Sequence, residues 1–397
     1  MSRIPLPVAL YPLPASLDAL GIFLAVLTVM LTVAASLAVS WPLMTLAAET
    51  VGELRARTSL RRLAVLLARR TPGAAVFTIA LGIPAYFTMF VMHGEAMFPA
   101  ALRMGWWWLA GGILLFAGVG SSFWVSMRRR GTEPSTLRPF LPDIVESYIL
   151  AFRRRGLERP GLVLTALAAF SFLGFCFLMV SFGVLAERPD LWGPSAPSPD
   201  GFLIPLSDPM LVRRLVHFLL GALAIGGLAT AWHGADRLSA GETAYGRSTM
   251  KFGAVFFAVP IALEAAAGPW LFMAEPAGLA GRMAGGPAGS GGIFLWTGAS
   301  AALLAAALIS LSPTVRRPRP LVWVSAICTL YSLSVMVAVR QQVRELRLAD
   351  AIDPAARAVS FHQASGLVAA AVVIAGIAAL GWMLAATAVS SGQSEGG

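Results

Sequence analysis

The sequence predicts an all-α fold: a polytopic transmembrane helix bundle of about nine spans, forming one integral-membrane domain over residues 1–397. Three observations predict it. Of the 397 residues, 57% are hydrophobic and only 13% are charged, about half the roughly 25% charge of a soluble domain. The mean hydropathy is +0.74. Nine apolar runs approach the length that a bilayer core of about 30 Å demands, roughly 20 residues of helix. Together these exclude a soluble enzyme, a nucleic-acid reader and a disordered chain. The net charge of +10 does not bring a nucleic-acid reader back, because its 30 basic residues, all Arg except Lys251, lie between the apolar runs.

In chain order the expected spans are 17–48, 73–92, 105–127, 161–186, 209–233, 252–273, 293–312, 321–339 and 364–389. The first is long and contains Trp41-Pro42, so its last turns are expected along the cytoplasmic interface. In the basic segment after it, Leu recurs at helical spacing among arginines from Leu54 to Leu67. Such a pattern suits a helix lying on an anionic leaflet. Pro72, Pro160, Pro209 and Pro320 open spans, where a missing N–H is harmless. Trp106-Trp107-Trp108 reads as an interfacial aromatic belt. The segments 187–208 and 274–292 are rich in Pro and Gly and read as irregular loops. Spans two and six each follow a basic loop and carry a mid-span proline, Pro84 and Pro260. Two four-helix halves plus a ninth helix would fit that repeat.

Arginine placement sets the expected orientation. With the N-terminus outside and the C-terminus inside, the inner segments hold 20 basic and 9 acidic residues, and the outer ones 10 of each. The remaining acid, Glu264, falls inside a span between Pro260 and Pro269. An ionised carboxylate in lipid is costly. Glu264 therefore either relays protons or tunes a cofactor, or it is a neutral carboxyl bonded to a neighbouring helix.

The two cysteines, Cys176 and Cys328, lie inside spans, so no disulfide framework or Cys-x-x-Cys-His haem attachment is expected. Three of the four histidines, His93, His217 and His362, fall toward the outer face. Imidazoles within apolar helices suit haem b, whose iron takes axial His and Met ligands. His217 is the strongest: Arg213 and Arg214 precede it by one turn, and Gly221 follows by one turn. Paired guanidiniums at that depth match haem propionates, and small residues at Gly221, Ala224, Gly226 and Gly227 would admit a flat macrocycle. The same small residues would equally serve close helix packing. After span eight, the run from Arg340 to Arg347 is unusually basic for an outer segment. It either binds an anionic group or is a solvated run compensated by Glu345, Asp350 and Asp353.

Nine spans with a His-bearing fifth resemble subunit I of the cytochrome bd-type quinol oxidases. The match is best over 209–273, where Arg214-Leu215-Val216-His217 looks like that family's fifth span and Gly246-Arg247-Ser248-Thr249-Met250-Lys251 like the turn into its sixth. Arg340-Gln341 falls where the family has Gly-Arg-Gln-Pro-Trp. The sequence departs from the family in five places. The first span has no His, Val337 stands for a Glu, and Gln342-Val343 stands for Pro-Trp. The outer quinol loop is cut short, and no Met lies in Phe294-Leu295-Trp296-Thr297. The resemblance implies a subunit of a bacterial inner-membrane respiratory complex with one or two haems b near the outer face. It would pass electrons between quinol and an outer-face partner such as a cytochrome c, without reducing oxygen itself. His217 would ligate the iron, with Met336, His93 or His362 as sixth ligand. Arg213, Arg214 and Arg340 would hold propionates, and Glu264 would tune the site or move a proton. The missing ligands equally fit a cofactor-free scaffold packed against a haem-bearing partner subunit.

Overall fold

The computed structural model describes residues 17–130, 159–192, 201–273 and 318–348, with Ala351. All regular structure among them is helical. Seven long helices occur: α1 (Leu17–Leu54), α2 (Thr58–Met104), α3 (Trp106–Arg130), α4 (Arg159–Ala186), α5 (Pro209–Ser239), α6 (Thr243–Phe272) and α7 (Pro318–Leu348). A short 3-10 turn, Pro189–Leu191, follows α4. Each of the seven is long and apolar enough to cross a membrane, and the chain is a multi-pass membrane protein. They coincide with seven of the nine expected spans; the other two, 293–312 and 364–389, lie outside the described residues.

The helices run alternately, so one end of the bundle gathers Leu17 of α1 and the starts of α3 and α5 with the ends of α2, α4, α6 and α7. This is the Leu17 end, and its opposite is the Leu54 end. Helix α1 packs against α2, α4, α5 and α7. Helices α1 to α4 close on one another as a four-helix group, whereas the second half of the expected repeat includes 293–312, outside the described residues.

Two expectations at the Leu54 end are corrected. The last turns of α1 do not leave the bundle at Trp41-Pro42; the helix continues through Pro42, and Trp41, Met44 and Ala48 are buried. The Leu- and Arg-rich stretch is not a separate surface helix either. It is the first part of α2, and Leu60, Leu63 and Leu67 pack with Leu37, Trp41, Met44 and Tyr245. A tight turn with Ala56 at φ 48° folds it back onto α1, so its apolar face meets protein instead of lipid. Pro72 accordingly lies inside a helix, not at its start. Helix α2 does break at His93, whose φ −121° and ψ 31° are non-helical.

Helices α5 and α6 form the tightest pair. A Cβ on Gly227 would lie 2.5 Å from the backbone of Phe256, and one on Gly246 would lie 2.5 Å from that of Leu238. Gly234 and Gly253 meet the facing backbone in the same way, at Met250 and Ala231. Backbones therefore touch along the pair, the packing that small residues permit in membranes. The N-terminus of α5 is fixed by Asp208, whose Oδ1 accepts the Met210 N–H at 2.8 Å, beside Pro209 in the first turn.

Candidate functional site

His217 lies two turns into α5. The helical period puts Arg213 and Arg214 one turn before it and Gly221 one turn after. Glu264 enters from α6 and Met336 from α7. His217 Nδ1 stands 2.5 Å from Glu264 Oε2, and His217 Nε2 stands 3.1 Å from Met336 Sδ. Both ring nitrogens are thus engaged. A thioether accepts but cannot donate, so the Nε2 contact is a hydrogen bond only when Nε2 carries the proton. A second proton must then sit between Nδ1 and Oε2, on one or the other. The remaining carboxylate oxygen, Glu264 Oε1, is buried and has no hydrogen-bond partner among the described residues.

Gly221 opens onto space: among the described residues, a Cβ there would meet nothing within 4 Å. The other small residues do not extend that opening. Gly227 is filled by α6, Gly226 by Ser40 and Met44 of α1, and Ala224 is buried in the α5–α6–α7 core. For these three, helix packing is the observed role.

The arginines divide. Arg213 Nη1 donates to the Trp270 carbonyl at 2.6 Å, and its guanidinium lies 5.1 Å from the Trp270 ring centre. Arg214 is buried and pairs with Glu187, just past the end of α4. Arg340 is exposed and lies against Gly183 of α4, where a Cβ would come within 3.4 Å of its Nη2. His93 is buried at the α2 kink. With Glu264 and Met336 at both nitrogens of His217, His93 takes no part in that contact. His362 lies outside the described residues.

Two features are not legible in the sequence pattern. The basic run after span eight is no solvated loop: it completes α7, with buried Arg344 and half-buried Arg347 within 3.7 and 3.3 Å of Glu187. Glu187 itself is the second, a residue that sequence reasoning misses. Burial alone would raise its carboxyl, but Arg214, then Arg344 and Arg340, hold it down at about 2. An acid placed directly after an apolar span, at the end where arginines gather, is the available signal.

The residues fit haem b on two counts. A His and a Met meet from different helices, a ligand pair known for haem iron. Among the described residues, space opens one turn from the imidazole at Gly221. His217 Nε2 and Met336 Sδ touch at 3.1 Å, so a group held between them would need Met336, unbranched and flexible, to withdraw.

No family model matches the chain, and no curated protein matches it in sequence. In three dimensions it is similar to the bd oxidase from Geobacillus thermodenitrificans, with a TM-score of 0.64 over 93% of this chain and 96% of that one. The chain has a bd-oxidase-like fold. At 12% identity the likeness is one of fold. The bd-oxidase-like arrangement brings α5, α6 and α7 together, and what occupies their junction is a matter of this chain's own residues.

Proposed function

We propose that this protein is a membrane subunit of a respiratory electron-transfer complex in a bacterial inner membrane. It binds haem b near the outer face and passes electrons between membrane quinol and an outer-face partner such as a cytochrome c. The observation that carries the reading is His217 bracketed by Met336 and Glu264, on three helices of a bd-oxidase-like fold. His217 and Met336 would hold the iron, which supplies one-electron transfer. Glu264, at Nδ1, fixes the ring orientation and keeps Nε2 directed at the ligand position. Arg340, one turn beyond Met336, is exposed and can meet a carboxylate. The basic residues at the Leu54 end support a cytoplasmic position for that end.

A second reading rests on one distance. At 3.1 Å, His217 Nε2 and Met336 Sδ meet directly, as in a cofactor-free scaffold packed against a haem-bearing relative. The test is a pyridine haemochrome assay with a reduced visible spectrum on the purified chain. The expected result is about one haem b or more per chain, with its reduced α-band lost in His217→Ala. Haem-free wild-type chain, or a spectrum indifferent to His217→Ala, would establish the scaffold instead.

A further inference from the structure

On α7, Met336 is followed toward the Leu17 end by Arg340, Arg344 and Arg347, at helical spacing on one face. On α5, His217 is preceded by Arg214 in the same direction. The two stripes meet at Met336 and His217 and meet again at one carboxylate. Glu187 Oε2 accepts from Arg214, and from Arg347 at 3.3 Å. Glu187 Oε1 stands 3.7 Å from Arg344 Nε, beyond hydrogen-bond reach. Both of these atoms are buried and have no hydrogen-bond partner among the described residues.

Around Arg344, the acids among the described residues are buried Glu187 and exposed Glu345, and Glu345 also engages Gln341 at 3.4 Å. The Tyr86 hydroxyl of α2 is the nearby neutral group. A buried guanidinium N–H such as Arg344 Nε, with no hydrogen-bond partner among the described residues, is unfavourable until a counter-group arrives. The site also has an opening: Arg340 lies among Arg214, Glu187, Arg344 and Tyr86, yet its side chain is exposed.

We propose that Arg340 and Arg344 bind an oxyanion group, a carboxylate or a phosphate, and that Glu187 is the positioning residue holding Arg214 and Arg347 beside it. A guanidinium fork matches either group through two parallel hydrogen bonds. The carboxylate could be that of a porphyrin ligated at His217, which rests on the haem reading. The phosphate could be that of a lipid headgroup, which does not.

The full chain is purified in mild detergent as wild type, Arg340→Gln/Arg344→Gln, and Arg319→Gln. Arg319 is a control at the opposite end of α7, exposed and paired with Asp236. Three quantities are read: haem by pyridine haemochrome, retained phosphatidylglycerol by native mass spectrometry, and the unfolding midpoint of haem-free chain against inorganic phosphate, with chloride at equal ionic strength. Phosphate should raise the wild-type and Arg319→Gln midpoints saturably, and the double variant should need at least about tenfold more for the same rise. Loss of bound lipid in the double variant names phosphate as the ligand chemistry; loss of haem, or a shifted haem potential, names carboxylate. Variants equal to wild type in all three readouts overturn the proposal. A phosphate response in chain that never holds haem sinks the haem reading and leaves this one standing. If the double variant does not fold, Arg340→Lys/Arg344→Lys keeps the charge and loses the fork. It should bind phosphate several-fold more weakly, and equality with wild type again overturns the assignment.

Discussion

Both contacts of the His217 ring are hydrogen bonds only when the His217–Glu264 pair holds two protons between them, one on Nε2 and one at Nδ1. The pair is then uncharged as a unit, which is how a carboxyl and an imidazole can share a junction of three apolar helices. Glu187 solves its burial in the opposite way: it stays ionised because three guanidiniums surround it. Its carboxyl lies at about 2, against 4.5 for the unperturbed group. A depressed carboxyl stabilises the fold fully above its unfolded value, and that contribution is lost as pH falls through the folded value. In phosphate-free buffer, Glu187→Gln should therefore destabilise the chain by roughly 3–5 kcal/mol near neutrality, by leaving buried guanidiniums uncompensated. The gap in unfolding midpoint between variant and wild type should be constant above about pH 4.5 and close as pH falls toward 2. A gap that does not change with pH would show that Glu187 acts by packing alone. His217 and Glu264 are each legible in the sequence, because polar groups are rare in apolar helices, whereas Met336 is one of three candidate partners. Their meeting is not legible, since it depends on how α5, α6 and α7 pack. Glu187 carries only the weak signal of an acid after an apolar span, for a related reason: its partners come from two other helices, and its local sequence reads as the start of a loop.

At the scale of elements, glycines on one helix do two different jobs. Gly234 stands where the backbone of α6 passes, and its missing side chain lets α5 and α6 touch. Gly221 stands at the open space beside His217. The pair gives a direct contrast. Gly234→Leu should lower the unfolding midpoint sharply, beyond the roughly 1–3 kcal/mol of ordinary overpacking, because rigid backbone must move. Gly221→Ala should leave stability unchanged or raise it by up to about 1 kcal/mol through helix propensity. Thermal unfolding of both variants in detergent checks this, and equal losses would mean that Gly221 is packed too. The sequence pattern locates all seven described helices, because 20-residue apolar runs have no other use. It misplaces the start of α2. A stretch alternating Leu with Arg looks the same whether its apolar face meets lipid or protein, and only contact with Leu37, Trp41 and Tyr245 decides. The small residues of α5 are ambiguous in the same way: Gly221 and Gly227 are indistinguishable until the neighbouring helix is in place.

For the whole molecule, the site lies toward the Leu17 end, and its function depends on which side of the membrane that end faces. The clustered arginines of the Leu54 end, from Arg55 to Arg70, argue that it stays in the cytoplasm. The four guanidiniums at the Leu17 end run against that rule only in appearance, since buried Arg214 and Arg344 and half-buried Arg347 turn to Glu187. Orientation can be read with single cysteines. The native Cys176 and Cys328 are half-buried in α4 and α7 and are first replaced by Ser. Leu206→Cys then reports the Leu17 end and Arg57→Cys the Leu54 end, both at exposed positions. A membrane-impermeant thiol reagent added to intact spheroplasts should label Leu206→Cys and spare Arg57→Cys until the membrane is opened. The reverse pattern would put the His217–Met336 junction on the cytoplasmic side. An exchange of electrons with an outer-face cytochrome c would then be geometrically excluded, whatever the haem content.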